Sequence, residues 1–120
     1  MSIEATVDAY CACWTEMPLR EREACLTELL APDVVYTDPS VETRGLAELA
    51  AHIARVVAER PGSRVLRTTS IDVHHGIARF GWCLEKADGT RLPAGLDVVW
   101  TDEAGRLSRI LGFFGPLRPL

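Results

Sequence analysis

The sequence predicts an α+β fold, three helices followed by a strongly curved antiparallel sheet. Three observations carry this. Apolar residues recur at helical spacing through the first 60 positions, the pattern turns to alternation after Gly62, and short HHG, ADG and DEAG segments punctuate the second half as turns. Helices first and a meander after them is the signature of segregated α+β architecture.

The elements follow in order. Ile3, Val7, Tyr10 and Trp14 mark one face of a first helix, with Ser2 placed to cap it and Pro18 to end it. A second helix is expected from about Arg20 to Leu30, burying Ala24, Cys25, Leu29 and Leu30, with Pro32 as its stop. Val34 to Thr37 reads as a short strand broken by Asp38-Pro39, with a loop from there to Gly45. The third helix runs from Leu46 to about Glu59 with Leu49, Ile53, Val56 and Val57 on one face, closed by Pro61-Gly62. Four strands are predicted at 64–73, 77–86, 90–101 and 106–114.

A chain of 120 residues fits one domain, with enough surface buried on folding to need no metal or disulfide staple. Thirteen basic and seventeen acidic residues give a net charge of −4, and no run of like charge occurs. This excludes the clustered Lys and Arg of a nucleic-acid or anionic-membrane surface. Glu4 and Asp8 interrupt the start, so no secretory signal is expected, and no apolar stretch is long enough to span a membrane. A cytoplasmic protein is the expectation. Cys11, Cys13, Cys25 and Cys83 have neither zinc nor thioredoxin-type spacing and are expected as reduced packing residues. There is no Ser-His-Asp order, glycine-rich phosphate loop or metal-binding helix motif, so neither metal nor cofactor is expected, and any chemistry rests on carboxylates and hydroxyls.

Which residues could do chemistry follows from polar groups on apolar faces. Ala78, Phe80, Trp82 and Leu84 form the inner row of the second long strand. In GLDVVW, Asp97 shares a face with Val99 and both faces are otherwise apolar. A buried, unpaired carboxylate costs several kcal/mol when ionised and takes up a proton instead. The alternative for Asp97 is an edge position facing solvent or Arg79 or Arg109. For Asp38 two readings also stand: a turn initiator before proline, or an acid at the mouth of an apolar cavity. Tyr10 lies on a core-facing stripe, where its hydroxyl needs a partner. His52 sits at the border of the third helix's apolar face, and His74 and His75 fall in a hairpin turn.

Three helices, YTDP with a loop ending in RG, a GLDVV strand and a final DEAGRL hairpin resemble, over essentially the whole chain, the nuclear transport factor 2 superfold. Within it the sequence is most similar to the ketosteroid isomerase and SnoaL-like group. The resemblance implies a cone-shaped, cystatin-like sheet around a pocket, a homodimer packed through the sheet, and isomerase-type proton transfer on a small hydrophobic carbonyl compound. The alternative within the same fold is a binding protein for an apolar ligand. Asp38 matches the family's general base, Asp97 its protonated aspartic acid, and Tyr10 its oxyanion tyrosine once a short insertion is allowed around Met17 to Arg22. The sequence departs from the pattern where Leu30 and Ile53 replace supporting tyrosines and His52 replaces an apolar wall residue. Trp14, Tyr36, His52, Phe80, Trp82, Val99 and Phe113 are the expected pocket lining.

Overall fold

A computed structural model describes all 120 residues. Helix α1 (Ile3–Ala12) starts where Ser2 Oγ accepts the Ala5 N–H at 3.1 Å, satisfying one free helix donor. It ends at Ala12, well before Pro18, and the cause lies in the next helix. From α2 (Leu19–Leu29), the buried Arg22 donates to the carbonyls of Cys13 at 3.3 Å and Thr15 at 2.6 Å. Those carbonyls, freed by the end of α1, find a charged donor in place of a further helical turn.

The buried face of α2 is Arg22, Leu26 and Leu29, whereas Ala24 is exposed and Cys25 half-buried, contrary to expectation. The helix passes directly into β1 (Leu30–Asp38), so Leu30 belongs to the strand and Pro32 stops no helix. Pro32 falls where the pairing register of β1 shifts between Leu30 and Val35, an irregularity in which a missing N–H costs nothing. The segment expected to be a loop forms β2 (Val41–Arg44), an antiparallel hairpin partner of β1. Gly45, at φ +84°, makes the left-handed turn into α3 (Leu46–Glu59), which keeps its predicted ends.

In place of the single strand 64–73 there are two edge pieces, β3 (Arg64–Arg67) and β4 (Asp72–His74), both paired with β5 (Ile77–Glu85). Between them Thr69 Oγ1 accepts the Gly81 N–H at 2.8 Å, a side chain taking the place of the ladder. Next comes β6 (Gly95–Thr101), which starts five residues later than expected: before it Arg91 makes only an isolated antiparallel bridge to Glu85, and Pro93 has no N–H to continue the ladder; β7 (Leu107–Phe113) follows.

The sheet order is β2-β1-β7-β6-β5-β3, with β4 beside β5. All pairs are antiparallel except β1 with β7. Helices and the concave sheet face enclose a core in which Leu26, Leu49, Ile53, Val99, Leu107 and Ile110 are fully buried. Each such side chain contributes roughly 1.5–3 kcal/mol. No helix is long and apolar enough to cross a membrane.

Candidate active site

The parallel pairing of β1 with β7 assembles the site. In sheet order β7 lies between β1 and β6, so Asp38 at the end of β1 and Asp97 in β6 flank the same strand. The residue between them is Gly112, which pairs directly with Asp97. A Cβ on Gly112 would stand 2.9 Å from Asp97 Oδ1 and 3.6 Å from the Cβ of Asp38. Glycine at this position lets two carboxyl groups share one stretch of cavity wall.

That wall belongs to a cavity of about 600 Å³ lined mainly by hydrophobic side chains, a size and character suited to a small organic molecule. Tyr10 faces in from α1, Asp38 from β1 and Asp97 from β6, so the three expected catalytic residues meet in one space. Trp14, Tyr36, His52 and Trp82 line it as well. Three expected lining residues do not. Phe80 and Val99, 1% and 0% exposed, are packed into the core behind the cavity wall. Phe113 follows Gly112 by one residue and so points to the outer face, half exposed. Its expected place is taken by Phe114, which follows the strand's last residue and meets Trp82 edge-to-face at 6.1 Å.

Asp38 satisfies both of its readings. Its Oδ1 accepts from the Ser40 N–H (2.7 Å), the Ser40 hydroxyl (2.6 Å) and the Val41 N–H (3.2 Å), tying the turn between β1 and β2. Its Oδ2 accepts from the Tyr36 hydroxyl at 2.5 Å and lies 3.7 Å from His52 Nε2. Burial pushes this carboxyl up, but hydrogen bonds from Ser40 and Tyr36, with the nearby imidazole, outweigh it and hold Asp38 below the ordinary carboxylate value. Asp38 is the anion of the site.

Asp97 is the opposite case. Burial, reinforced by the negative charge of Asp38, raises it to about 7, and only the indole of Trp82 opposes the shift. That indole N–H is itself buried without a hydrogen-bond partner. Burial also lifts the Tyr10 phenol well above its usual value, with the charge of Asp97 adding to it. Cys11, on the same wall, is pushed up to about 12 by burial and stays a thiol. His52 is lowered by burial, so its imidazole is neutral at pH 7. No three His, Cys, Asp or Glu side chains gather in an arrangement that could hold a metal ion.

Two features were not found from sequence. Ser40 follows Asp38 at the spacing of an Asx turn, a local signal that was present. Gly112 carries no local signal, because its importance arises only from strands that are distant along the chain.

No family model matches the sequence, and no curated protein does. Solved structures do match. A candidate isomerase of the SnoaL-like family from Agrobacterium tumefaciens is 28% identical, with 94% of this chain and 97% of that one covered at a TM-score of 0.87. A candidate polyketide cyclase from Sinorhizobium meliloti shares the fold at 14% identity, covering 93% and 99%, TM-score 0.71. A cystatin-like-fold protein of unknown function from Methylobium petroleophilum shares it at 22%, covering 98% and 78%, TM-score 0.74. Three helices on a curved, unclosed mixed sheet give this chain the α+β cone of its SnoaL-like and cystatin-like-fold neighbours, an architecture consistent with the nuclear transport factor 2-like superfamily.

Proposed function

We propose that the protein catalyses cofactor-independent proton transfer on a small hydrophobic carbonyl compound of steroid, terpenoid or polyketide type. One observation carries this reading: a single apolar cavity holds two acids pushed in opposite directions, Asp38 down and Asp97 up. Paired groups with divergent protonation are how one site supplies base and acid at the same pH.

A carbonyl oxygen seated against Tyr10 and protonated Asp97 receives two hydrogen bonds, and these strengthen as the oxygen becomes an enolate. Asp38 supplies the basic end, where the proton next to the carbonyl is removed and from which it is returned to another carbon. Water exclusion by Trp14, Tyr36 and Trp82 strengthens each of these interactions. The expected homodimer would use the outer sheet face, where the paired residues Leu96 and Phe113 leave apolar surface exposed.

The competing reading is a binding protein, favoured by the four hydrogen bonds that occupy the Asp38 carboxylate. Incubation with a panel of β,γ-unsaturated ketones in D2O, followed by NMR, separates the two. Catalysis gives deuterium at the carbon beside the carbonyl together with double-bond migration. Compounds that raise the unfolding temperature yet exchange no deuterium assign the protein to the binders.

A further inference from the structure

Asp38 presents a difficulty that the geometry resolves. Of the four hydrogen bonds that Asp38 accepts, three converge on Oδ1 and leave it no free lone pair, and the fourth, from Tyr36, takes one of the two positions on Oδ2. The position left on Oδ2 belongs to the oxygen that lies 3.7 Å from His52 Nε2. The imidazole beside it is under no such constraint. His52 makes no hydrogen bond within the protein, lines the cavity, and stands 3.7 Å from Asp38 Oδ2 through Nε2.

We propose that the imidazole of His52 is the group that takes the proton from the substrate, with Asp38 as the positioning anion beside it. This deepens the proton-transfer reading and rests on it. Three contacts fix the ring. Trp14 meets it edge-on at 5.9 Å, Tyr36 lies tilted against it at 5.6 Å, and α3 anchors it between Leu49 and Val56. Tyr36 serves twice, packing on the imidazole and donating to the same Asp38 oxygen that faces Nε2.

The step balances without a co-reactant. The C–H bond beside the carbonyl breaks, its electron pair moves onto the carbonyl oxygen held by Tyr10 and Asp97, and the proton goes to a ring nitrogen. The imidazolium so formed lies against the Asp38 anion. Giving the proton back to another carbon restores the neutral ring. The 3.7 Å separation shortens as the ring acquires charge, as catalytic contacts do when a site is loaded. The charged groups facing His52 agree with this. Burial keeps it neutral at rest, Asp38 on β1 and Glu59 on its own helix favour the cation, and Arg55 opposes it.

The test uses nitrobenzisoxazole, a probe whose ring C–H is removed by a base while its N–O bond breaks to release a coloured phenolate. Wild type should accelerate this reaction, and His52→Gln and His52→Phe should each lose about a hundred-fold or more. His52→Phe keeps an aromatic ring against Trp14 and Tyr36, so its loss cannot be assigned to packing. Added imidazole should restore part of the rate to His52→Ala. The acidic limb of kcat/KM should move to lower pH in Asp38→Asn, because the anion that favours imidazolium is gone. In ¹⁵N-histidine NMR the His52 titration should move the same way.

Variants of His52 that keep the wild-type rate would put the proton on Asp38 and overturn the inference, with the proton-transfer reading intact. A His52 titration unmoved by Asp38→Asn would overturn the pairing. Wild type no faster than free imidazole would overturn both this inference and the reading beneath it.

Discussion

Asp38→Asn should lower turnover of the responsive carbonyl substrate by about a hundred- to ten-thousand-fold while the protein still folds. The substitution keeps shape and removes charge. Asn can still accept from the Ser40 and Val41 donors through one oxygen, so the turn between β1 and β2 survives. On the other side an amide NH2 replaces the oxygen that now accepts from Tyr36 and faces His52. The basic end of the cavity then has no anion, and a proton arriving there has nothing to stabilise it. Loss of charge-assisted hydrogen bonds should cost about 1–3 kcal/mol of stability, a modest price beside the kinetic effect. Steady-state kinetics beside urea unfolding reads both quantities. Wild-type turnover in a folded Asp38→Asn variant would remove Asp38 from the mechanism.

Asp97→Leu should be slower and, at neutral pH and above, more stable than wild type. The direction follows from linkage. Asp97 titrates at about 7 in the folded protein against an ordinary 3.8, so between those values the native state binds a proton that the unfolded chain has lost. Stability from this group is fully present below the unfolded value and falls as pH rises through the folded one. The loss approaches about 1.4 kcal/mol per pH unit, on the order of 4 kcal/mol in all. Asp38 acts with the opposite sign, since its lowered value gives stability that is present above the ordinary carboxylate range and lost on acidification. Leucine deletes the first slope and leaves the second. Unfolding free energies of the two proteins should therefore converge near about pH 4 and separate, in favour of leucine, toward about pH 8. Removal of one oxyanion donor should also reduce the rate by about a hundred- to a thousand-fold. Unfolding curves that stay parallel across this range, or a variant destabilised throughout, would mean that Asp97 is an ionised structural partner.

Much of this arrangement is written locally. The ends of α3 follow from Gly45 and Pro61-Gly62, and the inner row of β5 follows from alternation alone, with Ala78, Phe80 and Leu84 buried and Trp82 half-buried. Asp97 could be suspected because it is the single charged residue of the apolar run GLDVVW.

What escaped the sequence is long-range. The direct passage from α2 into β1 depends on Leu30 being drawn into the sheet by β7, nearly 80 residues away, and no helix-stop rule reports that pairing. The split of the expected strand 64–73 depends on Thr69 finding Gly81 across the edge. The exchange of Phe113 for Phe114 is an error of one residue in phase, which sends a ring to the opposite face. The pairing of His52 with Asp38 joins the middle of a helix to the end of a strand. Each residue taken alone reads as an unremarkable rim histidine or turn acid.

The most direct test is a carboxyl-carbon NMR titration of the two aspartates in the unliganded wild-type protein, with Asp38→Asn and Asp97→Leu used for assignment. The expected result is a pair of separate transitions, Asp97 at about 7 and Asp38 below its ordinary 3.8. Two carboxyl groups titrating together near the ordinary value, or an Asp97 that is already ionised at about pH 5, would contradict a cavity that holds one acid as a donor and the other as an anion.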